Sequence, residues 1–258
     1  MKLFFRHFGS GRAVVILHGL FGISDNWVTF GRQLGGHYSV YIPDLRNHGQ
    51  SPHSAVFDFP ALEQDLAEFT EDHGLEQIIL LGHSLGGKTV MCYTLHNPDR
   101  VAKLVVVDIS LRRSPPGSEH QQLLDTMMAV DFSAARSRGE VEKQLIPRVH
   151  SPKLRQFLLK NVYWRDRHSL DWRPDLKSIN ENLPAIFEEI DVAGSYAGPT
   201  LFIRGGLSDY IADADIPGLK KKFPAAAVKT IAKASHWVHA DAPGEFYGMV
   251  KSFLDSDQ

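Results

Sequence analysis

Ser84 lies within Gly82-His83-Ser84-Leu85-Gly86-Gly87-Lys88-Thr89, a stretch that satisfies two catalytic patterns at once. As G-x-S-x-G it is a nucleophile elbow, a sharp strand-to-helix turn that pushes a serine hydroxyl into a cleft. As G-x-x-x-x-G-K-[ST] it is a phosphate-cradling loop in which Lys88 and Thr89 serve a phosphate and its magnesium. The chemistries exclude each other, because one needs a strained serine and the other a ring of backbone N–H groups. Local context suits both: Gln77-Ile78-Ile79-Leu80-Leu81 reads as a buried strand, and Thr89 to Leu95 as a helix ended by Asn97-Pro98. Even the apolar run Lys103 to Val107 ending in Asp108 suits a magnesium-dependent nucleotidase.

Distant residues separate the two readings. The strand-like Ala13-Val14-Val15-Ile16-Leu17 runs into His18-Gly19-Leu20-Phe21-Gly22, whose glycines let the backbone turn and present N–H groups, as an oxyanion hole requires. After the run Ala226 to Ile231, the segment Ser235-His236-Trp237-Val238-His239 sets an imidazole on a loop near the C-terminus, in the order nucleophile then histidine. A nucleotidase has no use for that histidine. Gly82 and Gly86, two residues either side of Ser84, remove the Cβ atoms that would clash in a strained turn.

On this reading Ser84 is the nucleophile and His236 the base that takes its proton and returns it to the leaving group. His239 is the understudy and is expected to begin the last helix. The N–H of Leu85 is one oxyanion donor and that of Leu20 the other, with Phe21 as the near alternative. The carboxylate that orients His236 stays open between Asp108, at the end of the strand after the elbow helix, and Asp209 in Arg204-Gly205-Gly206-Leu207-Ser208-Asp209. Expected substrate contacts are Phe21, His83 and Trp237. His236, His239 and Asp241 have a spacing that a metal could use but lack a supporting ligand cluster, so no metal is expected.

These groups need a scaffold. Strand signals fall near 2–8, 13–17, 38–42, 77–82, 101–107, 199–204 and 226–231, and helix signals near 25–35, 58–73, 85–96, 213–222 and 243–254. Such alternation predicts a mostly parallel sheet covered on both faces, with its site beyond the carboxyl ends of the strands. His18, Ser84, Asp108, Asp209 and His236 all follow predicted strands. Between Ile109 and about Ala197 the pattern becomes helical without strands, broken at Ser114-Pro115-Pro116-Gly117, Ser151-Pro152 and Arg173-Pro174. This predicts a core over 1–110 and 196–258 and a helical lid over 111–195. Within the lid, Arg136 to Lys177 is basic and carries Phe157, Tyr163, Trp164 and Trp172. That mixture suits an anionic, partly apolar ligand, although a solvated helix face over a lid core is the plainer reading.

The 258 residues suit one α/β core with an insertion, and 28 Lys plus Arg against 30 Asp plus Glu give no field that draws nucleic acid or an anionic membrane. The only cysteine, Cys92, is expected to be buried on the elbow helix, and a chain with one cysteine suits a reducing compartment. Arg6 and His7 interrupt the apolar start before a signal-peptide core develops, and no apolar run approaches the ~20 residues needed to span a bilayer. The expectation is a cytoplasmic monomer or weak homo-oligomer.

Together, His18-Gly19-Leu20-Phe21-Gly22, Asp44-Leu45-Arg46-Asn47-His48-Gly49-Gln50-Ser51, Gly82 to Lys88, Val107-Asp108-Ile109-Ser110 and His236 to Ala240 resemble the YbfF-type esterases of the α/β-hydrolase superfamily. Asn47, where most superfamily members carry glycine, and Lys88 mark this subgroup, which makes the match to the phosphate loop accidental and Lys88 structural. The resemblance implies an α/β-hydrolase fold and metal-free, cofactor-free serine hydrolysis of short-chain acyl esters, with acyl-CoA thioesters as a further class. It also favours Asp108 as the acid, since members of this subgroup often lack a carboxylate at the position of Asp209. The rivals are a non-catalytic small-molecule-binding protein on the same fold and the magnesium-dependent nucleotidase.

Overall fold

Seven strands form one sheet in the order β1-β3-β2-β4-β5-β8-β9, in a computed structural model that describes residues 1–113 and 119–256. They are β1 (Phe5–Phe8), β2 (Ala13–Leu17), β3 (Ser39–Pro43), β4 (Ile78–His83), β5 (Val101–Val107), β8 (Thr200–Gly205) and β9 (Ala226–Ile231), and β6 (Val162–Trp164) pairs with β7 (Leu170–Trp172) in a separate hairpin. Only β1 runs antiparallel to its neighbour in the large sheet. The helices are α1 (Val28–Leu34), α2 (Phe59–Asp72), α3 (Leu85–His96), α4 (Glu119–Met128), α5 (Arg138–Leu145), α6 (Pro152–Leu159), α7 (Leu176–Phe187), α8 (Ile216–Lys222), α9 (Val238–Asp241) and α10 (Pro243–Asp255). Among the described residues, no helix is long and apolar enough to cross a membrane.

The expected α/β-hydrolase architecture is present: a mostly parallel sheet between helical layers. Parallel strands are covered on both faces, so Ile78 to Leu81 and Leu104 to Val107 bury every side chain, each contributing roughly 1.5–3 kcal/mol relative to exposure. One set of side chains packs under α2, α3 and the segment between β5 and β8; the other packs under α1 and α10. The helix expected over 25–35 is divided at Trp27 into a short 3-10 turn (Ser24–Asn26) and α1.

Among the described residues, the segment between β5 and β8 holds four α-helices and also a β-hairpin, which corrects the expectation of a strand-free insertion. Val162 pairs with Trp172 and Trp164 with Leu170, around a turn in which Asp166 accepts from the amides of His168 (2.8 Å) and Ser169 (2.9 Å). Three residues per strand are too few to display a period of two, so the hairpin left no readable pattern. The break predicted at Ser114 to Gly117 lies outside the described residues.

The motif after β3 is a built unit. Asp65 takes Arg46 in a bidentate pair at 2.6 and 2.8 Å, and both groups are buried. Asn47 has φ 62°, the left-handed region where asparagine is the usual substitute for glycine. Its amide both donates to the Ser54 carbonyl (2.9 Å) and accepts from the Ser54 amide (2.7 Å), which holds that geometry.

Candidate active site

Ser84 sits between β4 and α3 with φ 52° and ψ −117°, a region costing on the order of 1–3 kcal/mol for a non-glycine residue. Close approach around it explains the flanking glycines. A Cβ on Gly82 would lie 2.3 Å from the Gly86 carbonyl oxygen, and one on Gly86 would lie 2.5 Å from that of Leu17. Gly86, Gly87, Lys88 and Thr89 lie inside α3, with the Lys88 amide donating to the Ser84 carbonyl (3.0 Å) and Thr89 Oγ1 to that of Leu85 (2.9 Å). A phosphate loop needs the Lys88 amide and the Lys88 and Thr89 side chains free for phosphate and magnesium, and here each is held by a protein carbonyl, so that reading fails.

The neighbouring strand end supplies Asp108, fully buried and itself at φ 51°. The Ser84 amide donates to the Val107 carbonyl (3.1 Å), which places the ends of β4 and β5 side by side. His236, on the loop after β9, bonds through Nδ1 to Asp108 Oδ2 at 2.8 Å. The other Asp108 oxygen accepts from the Gly205 amide (2.8 Å), and Ser208 Oγ donates to the same oxygen as His236. A carboxylate holding three such donors is fixed in place, and with it the imidazole.

Asp209 is placed differently. It lies on the rim of the cleft, where its backbone carbonyl accepts from Arg112 Nη2 (2.5 Å), and among the described residues Asp108 is the carboxylate that pairs with His236. Leu20 and Leu85 line one small cavity with Ser84, Lys88, Ile109, His120, Ile186, Phe187 and Tyr210. The alternative donor Phe21 is excluded as an oxyanion ligand, because its N–H already donates to His48 Nε2 (3.2 Å). His48 and His18 are buried neutral rings of the same tautomer, each donating from Nδ1 to a carbonyl and accepting a backbone amide at Nε2.

Of the expected substrate contacts, Trp237 lines a cleft of about 830 Å³ beside His236, together with Phe157, Lys153 and Lys160. His83 and Phe21 are buried instead. His83 Nε2 bonds to the His236 carbonyl (2.9 Å), so this ring supports the histidine loop, while the Phe21 carbonyl accepts from Asn161 (2.7 Å). His239 lies within the short α9 ahead of the last helix and stacks on Trp27 at 4.1 Å; the Asp241 carboxylate accepts from the Ser235 amide (3.0 Å). Of the other aromatics in the basic stretch, Trp172 is buried with Nε1 on the Met127 carbonyl (2.9 Å), Tyr163 lies under Arg173, and Trp164 faces solvent.

Sequence reasoning missed three neighbours of His236. Tyr210 stacks on its ring at 4.0 Å, His120 from α4 stands edge-on to it at 6.3 Å, and Ser208 shares its carboxylate. Ser208 and Tyr210 flank Asp209 in a loop read only for that aspartate; nothing in the sequence pointed to His120.

With this geometry in view, known proteins give it a context. Residues 12–138 match the family model described as the alpha/beta hydrolase fold. The chain is 38% identical to the "sn-1-specific diacylglycerol lipase ABHD11" of Mus musculus, over 94% of this chain and 80% of that one. It is 32% identical to the "Esterase YbfF" of Escherichia coli, over 94% and 92% respectively. The chain belongs to the α/β-hydrolase esterases. A solved structure named "Marine microorganism esterase" superposes with a TM-score of 0.95 at 39% identity, covering 98% of this chain and 99% of that one. The protein is thus a carboxylesterase-type hydrolase, which removes the non-catalytic binding reading.

Five histidines of the esterase lose solvent on folding: His18, His48 and His83 are buried, and His120 and His239 are half-buried. Burial lowers His18 and His120 to about 4 and His48 and His239 to about 3, and holds His83 well below its usual range. In the unfolded chain each returns to about 6.5 and binds a proton that the folded state refuses. The stabilisation is therefore complete above about pH 6.5 and is lost as pH falls toward these lowered values. Each proton taken up only on unfolding removes about 1.4 kcal/mol per pH unit. Acid titration followed by circular dichroism is expected to show cooperative unfolding above pH 4, and equal urea stability at pH 4.5 and pH 7 would contradict it.

Proposed function

We propose that this esterase hydrolyses short-chain carboxylic esters, with acyl-CoA thioesters as a further substrate class, through an acyl-enzyme on Ser84. The observation that carries the reading is the 2.8 Å bond from His236 Nδ1 to the buried Asp108, beside a serine in a strained turn. Ser84 Oγ attacks the acyl carbonyl while His236 Nε2 takes its proton, and Asp108 keeps the proton on Nδ1 and stabilises the imidazolium. The N–H groups of Leu20 and Leu85 receive the oxyanion, each worth about 2.7–4 kcal/mol in such sites. Collapse of the tetrahedral intermediate expels the alkoxide or thiolate, which takes the His236 proton. Water, deprotonated by His236, then attacks the acyl group, releasing the acid and restoring Ser84.

Two observations support the short acyl group and the placing of the leaving group. The cavity at Ser84 is about 20 Å³, room for roughly one water, and Ile186 and Phe187 are among the side chains that line it. The cleft of about 830 Å³ lined by His236 suits the alcohol or thiol portion. In this reading the stretch 111–195 acts as the lid, and an acyl chain larger than the Ser84 cavity would need Ile186 and Phe187 displaced.

The test is a panel of p-nitrophenyl acetate, butyrate and octanoate with the matching CoA thioesters, joined to fluorophosphonate labelling and peptide mapping. Overpacking costs about 1–3 kcal/mol, so kcat/KM is expected to fall about tenfold to a hundredfold from acetate to octanoate, with the label on Ser84. Preference for octanoate, or a label elsewhere, would overturn the reading.

A further inference from the structure

Lys88 lies one helical turn beyond Ser84 on α3, fully buried, where a methionine of similar length would pack without the cost of desolvating a charge. Its ammonium donates to the Arg112 carbonyl (3.0 Å) and the Glu188 carbonyl (2.5 Å) and sits 5.7 Å from the centre of the Phe59 ring. Those carbonyls belong to opposite ends of the inserted segment: Arg112 follows β5, and Glu188 ends α7. The Ile190 amide donates to the Leu111 carbonyl (2.8 Å), so the two ends are also joined to each other.

Both tethered residues lead into the reaction chamber. Ile186 and Phe187, immediately before Glu188, line the cavity at Ser84, and Lys88 lines it too. From Arg112, the guanidinium reaches the Asp209 carbonyl and the Asp215 carboxylate (3.1 Å), holding the loop whose Tyr210 stacks on His236. One buried cation therefore fixes the part of the acyl cavity lined by Ile186 and Phe187 and, through Arg112, the loop that stacks on the histidine.

We propose that Lys88 is a specificity-determining positioning residue, which ties both ends of the inserted segment to the elbow helix at a height that admits short acyl groups and excludes longer ones. This rests on the short-chain reading of the Ser84 cavity. Burial lowers Lys88 to about 8; Glu188 and Glu189 favour its charge, Arg112 opposes it, and Cys92 lies nearby on α3. The charged tether is thus present near neutrality and weakens as pH rises through about 8, when a neutral amine bonds the two carbonyls less strongly.

The experiment compares kcat/KM for p-nitrophenyl octanoate and acetate in the wild type and Lys88→Met. Because the leaving group is common, the octanoate-to-acetate ratio cancels effects on His236 and on overall folding, which would lower both esters alike. The ratio is expected to rise about tenfold in Lys88→Met, and to rise in the wild type between pH 7 and about 9.5. A folded Lys88→Met with a ratio within twofold of the wild type overturns the proposal; if that variant does not fold, a wild-type ratio flat across this pH range does so. Wild type that hydrolyses neither ester overturns the short-chain reading itself, and the tether with it.

Discussion

Ser84→Ala is expected to fold like the wild type and to lose about four to six orders of magnitude in kcat toward p-nitrophenyl acetate. The size of the loss follows from the division of labour. Without the hydroxyl no acyl-enzyme forms, and what remains is the oxyanion donors and substrate binding, which in such sites give about 10³–10⁴ over water. The elbow itself is held by backbone contacts and by the glycines at 82 and 86, and alanine keeps the same backbone and Cβ, so the strain at φ 52° is unchanged. Thermal unfolding within a few degrees of wild type beside abolished turnover is the expected pair of results. Activity retained above about one per cent would remove Ser84 from the mechanism.

Asp108→Asn should be nearly as severe, costing about 10⁴ in kcat, while Asp209→Asn should stay within about threefold of wild type. An asparagine at 108 would still fill the buried site and accept from the Gly205 amide. Its NH₂ group, however, would face His236 Nδ1 and drive the ring to the tautomer with its proton on Nε2, which cannot take a proton from Ser84. Asp209 meets the loop network through its backbone carbonyl, which the amide variant preserves. Steady-state rates of the two variants, measured side by side, decide between them. Equal, small losses would mean that neither carboxylate orients His236, and a larger loss for Asp209→Asn would reverse the assignment.

Much of the fold was legible because parallel strands buried on both faces leave unbroken apolar runs, as at Ile78 to Leu81 and Leu104 to Val107. Glycine pairs and Asn-Pro marked where such runs turn. The hairpin of Val162–Trp164 and Leu170–Trp172 escaped because it is short and its aromatics suggested a helix face. Within the site, local chemistry marked Ser84, His236 and the loop after Leu17, since an elbow and an amide-presenting turn each carry their own residue signature over a few positions. His83 and Phe21 were legible as neighbours of those groups, but their burial was not.

Residue order alone thus determined the alternating α/β scaffold, the strained serine turn and the presence of acidic and imidazole groups at strand ends, each of which leaves a signature over a few consecutive residues. The tertiary structure alone decided which aspartate faces His236: Asp108 and Asp209 both follow adjacent strands, but Asp108 is the buried one that meets His236, the Gly205 amide and the Ser208 hydroxyl, while Asp209 is exposed. It alone joined His120 to Tyr210 across 90 residues, and Lys88 to Glu188 across 100. Such pairings depend on how the inserted segment packs against the sheet, a sum of many side-chain contacts that no single stretch of sequence records.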